Sequence, residues 1–238
     1  MTDPIQEGES TPANDSLSVI VAAFAPLGGK RILDVGCGAG TLAGWLSVRG
    51  ANVTGIDPNE EALSDARRAV PEATFRAAGA EAMPFADGSF DGAVFLNSLH
   101  HVPEAAIGRA LREAARVVKP AGPIVIIEPL AEGSFFSALR SVEDETRVRA
   151  VAQGRIRQAL DGGMFEELGR IDYLRHEYFA DPDQFLARIV AVDPTRADVV
   201  AHRRPEVEAV FRCYARPAAD GSMALEQPMR AHVLAARV

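Results

Sequence analysis

The sequence predicts an α/β fold built on a mostly parallel sheet covered by helices on both faces. Short runs rich in β-branched and aromatic residues alternate with longer runs of helical period, and each strand run is followed by a helical one. A glycine-rich turn joins the first strand to the next helix, and right-handed crossovers are expected throughout. No internal repeat or low-complexity run interrupts the alternation.

Residues 1–16 are rich in Thr, Asp, Pro, Glu, Gly and Ser and are expected to form a disordered tail, with 17–238 a single domain. An apolar helical segment at 17–24 leads into the turn Pro26-Leu27-Gly28-Gly29, and 31–35 reads as a short buried strand. Further strands are expected at 52–57, 73–78, 92–96 and 124–128. After the second, Asp57 can cap a helix that starts at Pro58 and turns Ala62, Leu63, Ala66 and Val70 inward. Between 104 and 118 the apolar positions Ile107, Ala110, Leu111, Ala114 and Val118 recur at helical spacing, with Pro103 to start the helix and Lys119-Pro120 to stop it.

Composition limits the function. Lys and Arg number 25 against 33 Asp and Glu, a net charge of −8, so a polyanion such as nucleic acid is repelled on average. The apolar run at 19–25 is far shorter than the roughly 20 residues of a membrane span, and no basic region precedes an apolar core as in a signal peptide. Two cysteines, Cys37 and Cys213, give no disulfide framework, which points to a reducing compartment, the cytoplasm. No metal site is expected, since His176 and Glu177 are adjacent and no Cys pair stands at ligand spacing.

Three features converge on one crevice. Gly36, Gly38 and Gly40 follow a strand directly, so the backbone can approach a ligand that a Cβ would exclude, although a tight turn in any α/β protein looks the same. Asp57 ends the next strand about 20 residues on, where a carboxylate can accept both ribose hydroxyls as well as cap the following helix. The glycine order is Gly-x-Gly-x-Gly behind Asp34, not the Gly-x-Gly-x-x-Gly that opens a helix under a pyrophosphate, and an acid there repels a pyrophosphate. A nicotinamide-dependent oxidoreductase shares the first two features and lacks this third. S-Adenosylmethionine carries a sulfonium and an ammonium, which acceptors suit.

Residues 32–130 resemble the core of class I S-adenosylmethionine-dependent methyltransferases, in the small-molecule branch called type 11. The matching motifs are 34–40, Gly55-Ile56-Asp57-Pro58, Ala80-Glu81-Ala82-Met83-Pro84-Phe85 ahead of Ser89-Phe90-Asp91, Asn97-Ser98-Leu99-His100-His101-Val102, and 112–122. The resemblance implies a Rossmann-like fold with a seven-stranded, mostly parallel sheet and an antiparallel last strand. It places adenine near Gly79, Ala80 and Glu81, and the methionine moiety near Gly36 and the Asn97 loop. The expected cofactor-binding set is Asp34, Gly36, Gly38, Gly40, Asp57, Pro58, Gly79, Ala80, Glu81 and Asn97. Many relatives have Asp where Gly79 stands, so here the Ala80 backbone or Glu81 has to meet the adenine amino group.

Methyl transfer from an activated carbon needs mainly positioning and exclusion of water, so no catalytic residue is fixed by pattern. Where the acceptor is a hydroxyl or amine, His100, His101 and Glu128 are the candidate bases. Ser98-Leu99 follows Asn97 in place of the Pro-Pro-aromatic pattern of amino-methylating nucleic-acid enzymes, which favours a small-molecule acceptor. The alternative is a non-catalytic S-adenosylmethionine-binding regulator or scaffold.

In the second half a sixth strand at 170–179 and a terminal one at 229–238 are expected, with helical insertions at about 131–168 and 180–228. One inserted helix uses Phe185, Leu186, Ile189 and Val190, and another Val207, Val210, Phe211 and Tyr214. These helices, with 134–168 and the 17–24 helix, are expected to roof an acceptor pocket.

Overall fold

In a computed structural model, described over residues 15–237, the five strands of the first half form at their expected places. They are β1 (Arg31–Val35), β2 (Asn52–Asp57), β3 (Thr74–Ala77), β4 (Gly92–Leu96) and β5 (Pro123–Pro129), all parallel. The predicted tail lies outside the described residues up to 14. Asp15 and Ser16 belong to the fold instead, because the Asp15 side chain accepts from the Ser18 amide and caps α1 (Ser16–Phe24).

Strand order is β3-β2-β1-β4-β5-β8-β6, with β6 at Phe165–Phe179 and β8 at Met223–Ala236. β8 is antiparallel to both neighbours, which leaves β6 parallel to β5. A two-residue strand, β7 (Arg216–Pro217), adds an eighth strand to the seven expected by pairing with Ala224 and Met223. Both late strands begin earlier than periodicity suggested, at 165 and 223, so the insertions are shorter than 131–168 and 180–228. The alternation in β6 was hidden because its outer face is charged and it pairs on one side only.

Apolar clusters cover the two faces of the sheet. One packs Val19, Ile20 and Phe24 of α1 with Leu42 and Leu46 of α2 (Thr41–Ser47) and Leu63 of α3 (Glu60–Ala69). The other packs Ile107, Ala110, Leu111 and Ala114 of α4 (Glu104–Val117) with Ile156 of α6 (Thr146–Asp161). Thus α1 lies on a sheet face against β4, β5 and β8 and does not roof a pocket. The helix after β2 is capped by Asn59, whose Oδ1 accepts from the Glu61 and Ala62 amides, and not by Asp57. Pro58 accordingly precedes the helix and does not start it.

β5 stops pairing with β8 at Pro129↔Met229, while β6 and β8 run on together to Phe179↔Met223. This two-stranded extension passes beyond the carboxyl end of β5 and carries a third cluster. There Phe179 and Leu225 pack with Leu139 of α5 (Ser134–Leu139), Phe185, Leu186 and Ile189 of α7 (Pro182–Val192), and Val207 and Phe211 of α8 (Ala197–Tyr214). Tyr214, expected inside, is 41% exposed at the helix end. The cap therefore stands on the carboxyl-end side of the sheet, where open α/β sheets bind ligands.

Candidate functional site

The order reverses between β1 and β4, and the loops leaving β1, β2 and β4 diverge there around a cavity of about 630 Å³. Of the expected cofactor residues, Gly36, Gly38, Asp57, Pro58, Gly79, Ala80, Glu81 and Asn97 line it. Asp34 and Gly40 do not. A Cβ on Gly40 would come within 3.1 Å of both the Ala66 Cβ and the Phe75 ring, so this glycine lets α3 and β3 pack close. Gly36 has φ +74° and meets Ser98 at 2.5 Å where its Cβ would stand, whereas the corresponding direction from Gly38 is open for 4 Å. The Gly36 and Cys37 amides donate to the Ile56 carbonyl, locking the turn onto β2.

Asp57 holds the two sides of the crevice together. Its Oδ2 accepts from the Gly38 amide at 3.0 Å and its Oδ1 from the Asn59 amide at 2.8 Å, with lone pairs left toward the cavity. Asp34 lies buried behind the glycine turn, with Oδ2 unpartnered among the described residues. Burial, with the Asp57 charge adding to it, pushes its pKa up to about 7. Burial also pushes the Cys37 thiol far up, so it is an inert thiol against the Gly55 backbone. The Glu81 carboxylate folds over Gly79, with Oε1 2.6 Å from the place a Cβ would take there. It thus brings an acceptor to the position left without an Asp side chain.

The three candidate bases also meet. Glu128, at the buried end of β5, accepts from the amides of Ser98 (3.1 Å), Leu99 (2.9 Å) and His100 (3.3 Å) and pairs with His100 Nδ1. One carboxylate therefore fixes both the loop after β4 and the His100 ring, whose Nε2 has no protein partner among the described residues. The His101 ring stands 4.0 Å from that of His100, open to the crevice but walled by protein. Dehydration and the neighbouring His100 hold its pKa below the usual histidine value. Asn97 takes a left-handed φ of 54°, and its Oδ1 is buried without a partner among the described residues.

Asn97 and His101 also wall a second cavity of about 130 Å³, which reaches under the cap to His100, Phe135 and Ile189. Its polar lining escaped sequence reasoning. Glu145 bridges Arg149 (2.6 Å) and Arg196 (2.7 Å), all three buried. Burial alone would raise Glu145, yet Arg149, His100 and Arg196 hold it below the usual carboxylate range. The i,i+4 spacing of Glu145 and Arg149 was visible in the sequence, but on a helix that pattern ordinarily marks a solvated face. Among the described residues no cluster of His, Cys, Asp and Glu could hold a metal, and no helix is long and apolar enough to cross a membrane.

A mostly parallel sheet with a glycine turn, an acid at the end of the second strand and a crevice at the strand reversal, closed by an antiparallel strand, is the Rossmann-like methyltransferase architecture. Residues 33–126 match the family described as "Methyltransferase domain", and this segment belongs to the type 11 branch of S-adenosylmethionine-dependent methyltransferases. The chain is 38% identical over 128 residues to a ubiquinone biosynthesis O-methyltransferase of Alkalilimnicola ehrlichii, covering 50% of this chain and 51% of that one. It is 35% identical over 133 residues to a demethylmenaquinone methyltransferase of Renibacterium salmoninarum, covering 56% and 54%. The chain thus spans about half the length of these curated relatives. A methyltransferase of Geobacter sulfurreducens, solved with S-adenosylhomocysteine, shares the fold at a TM-score of 0.57 and 16% identity, over 95% of this chain and 92% of that one.

Proposed function

We propose that this protein binds S-adenosylmethionine in the larger cavity and transfers its methyl group to a small-molecule acceptor held under the cap. The observation that carries this reading is the junction at Asn97 and His101, where a ribose-acceptor crevice opens onto a second, smaller cavity. The residues fit the cofactor. Gly38 leaves space where a Cβ would stand, Asp57 keeps free lone pairs, and the unpartnered Asn97 Oδ1 offers an acceptor to a cationic ligand. Glu81 over Gly79 supplies an acceptor for the adenine amino group. When bound, S-adenosylmethionine supplies a methyl carbon on a sulfonium, whose C–S bond breaks toward sulfur as the acceptor atom takes the carbon.

The chain's own residues then position and deprotonate. Glu128 keeps the Nδ1 proton on His100, which leaves Nε2 as the oriented base for a hydroxyl or amine proton. His101 and Asn97 separate the two ligands, and the cap excludes water. The exposed thiol of Cys213 suits a reducing compartment such as the cytoplasm, and net charge favours a metabolite over nucleic acid.

Calorimetric titration with S-adenosylhomocysteine, followed by a screen for its release from S-adenosylmethionine with pooled metabolites, tests the reading. Binding of the cofactor product without turnover on any pool would mark a regulator, and tight NAD binding would overturn the cofactor. Once an acceptor is found, His100→Gln should lower kcat by roughly 10²–10⁴, with product affinity unchanged.

A further inference from the structure

The cavity under the cap is richer in cations than in anions. Arg149, Arg175, Arg188 and Arg196 line it, with Glu145 and Glu177. Two of the arginines are fully engaged. Arg149 donates from Nε to Glu145 and from Nη1 to Leu130 O and Gln227 Oε1, the last two both at 3.0 Å. Arg196 donates to Glu145 and Glu143, each at 2.7 Å.

The other two are not. Arg175 on β6 lies 2.9 Å from Glu177 through Nε, without hydrogen-bond alignment, and among the described residues neither of its Nη groups makes a hydrogen bond. Arg188 on α7 has neither an ion pair nor a hydrogen bond among the described residues. Glu143 and Glu145 pair with Arg149 and Arg196, and Glu177 lies beside Arg175, which leaves the solvent-exposed Arg188 as the guanidinium without an anionic partner among the described residues. A free guanidinium fork matches the plane of a carboxylate. A cavity of about 130 Å³ is close to the roughly 150 Å³ that accommodates benzene in an engineered protein core, and Phe135, Leu139 and Ile189 form apolar wall here.

Resting on the methyltransferase reading, we propose that the acceptor is a small monocarboxylic acid, of one ring or a short branched chain, that carries a hydroxyl or amine. The forks of Arg188 and Arg175 hold its carboxylate at the cap, and its nucleophilic atom faces His100 across the cavity. Arg188 and Arg175 are then specificity residues and do not touch the cofactor.

The test is calorimetry on the full chain saturated with S-adenosylhomocysteine. The probes are 4-hydroxybenzoate, 3,4-dihydroxybenzoate and anthranilate, each set against its neutral carboxamide. At least one acid should bind ten-fold or more tightly than its amide. Arg188→Ala should remove that preference, Arg188→Lys should keep part of it, and neither should change affinity for S-adenosylhomocysteine. Equal binding of acid and amide, or no acid binding at millimolar concentration, overturns the proposal. So does an Arg188→Ala protein that loses S-adenosylhomocysteine affinity, because the arginine would then hold the methionyl carboxylate. Failure of S-adenosylhomocysteine to bind the wild type removes the methyltransferase reading and this proposal together, and shows itself before any acid is added.

Discussion

From Arg31 to Pro129 the ligand cavity is shaped mainly by backbone: glycines at positive φ, amides tied to Ile56 O, and an Asp57 carboxylate that bonds two main-chain N–H groups. From Ser134 to Tyr214 the cavity is shaped by side chains, namely an Arg–Glu–Arg bridge and Phe135, backed by a core in which Phe179, Phe185 and Phe211 pack edge to face or tilted. A backbone-built site restricts residue types, because only glycine makes the turn cheaply and only a short acid reaches both amides. A side-chain-built site can be assembled from many sequences, so a half of this kind is free to change its ligand.

The largest expected effect separates the two halves. The Phe185 ring is fully buried, 5.4 Å from Phe179 and 5.2 Å from Phe211 between centroids. Phe185→Ala should cost about 3–5 kcal/mol of stability, concentrated in the cap. Acceptor turnover should collapse while S-adenosylhomocysteine affinity changes far less. Equal loss of both, measured at a temperature where the protein is folded, would show that cap and sheet act as one unit.

Asp34 gives the next contrast, because it is a stability cost placed inside the backbone-built half. Its pKa rises from 3.8 unfolded to about 7 folded, so between those values the native state binds the extra proton. Stability therefore falls as pH rises through that window, by on the order of 4 kcal/mol from this group. Asp91, Glu113 and Asp172 are held below their usual range and act in the opposite sense at lower pH, equally in wild type and mutant. Urea unfolding at pH 5 and pH 8 should show the wild type losing stability relative to Asp34→Asn. A pH-independent difference would mean that Asp34 is ionised in the native protein.

The same division decides what could be read from sequence. Strands β1 and β4 fell at their exact ends because buried parallel strands are mainly apolar runs stopped by turn residues, and β2 because Val53, Thr54 and Ile56 are followed at once by Asp57-Pro58. That Gly36, Gly38 and Asp57 line one cavity was legible because a backbone turn and a carboxylate at fixed spacing leave few substitutes, whereas Asn97 came from the family resemblance. Gly40 was misplaced because packing glycines and ligand glycines look alike in a motif. Arg175 and Arg188 left no signal and the Glu145–Arg149 spacing an ambiguous one, since these residues come from β6, α7 and the start of α6 and meet only in space. The early start of β6 was missed for a related reason: an edge strand with a charged outer face lacks the apolar run that marks a central one.

A smaller effect is expected at Asp57. Asp57→Ala should weaken S-adenosylhomocysteine binding by about 1–3 kcal/mol, through loss of a charged ribose acceptor and release of the Gly38 amide. It should also lower the pKa of Asp34, whose rise Asp57 enhances, and so reduce the pH-dependent loss just described. Unchanged affinity by calorimetry would remove Asp57 from the cofactor site, and with it the view that this half binds through its turn geometry.

The smallest effect concerns α1, expected over the acceptor and found on the sheet. Ser16 Oγ and Tyr173 Oη are 2.6 Å apart, joining the first turn of α1 to β6 across 157 positions of chain. Burial raises the pKa of Tyr173, so the hydroxyl stays protonated and one of the two groups always has a hydrogen to give. A hydrogen bond of this kind contributes about 0.5–1.5 kcal/mol net, well below the burial of Val19, Ile20 and Phe24 on the same helix. Ser16→Ala and Tyr173→Phe should each cost about 1 kcal/mol, and the double mutant should cost little more than either, because both remove the same bond. Since α1 touches neither cavity, kcat and S-adenosylhomocysteine affinity should stay at wild-type values in all three proteins. Additive stability losses would mean that no such bond forms in solution, and a fall in kcat would return α1 to the acceptor side of the molecule.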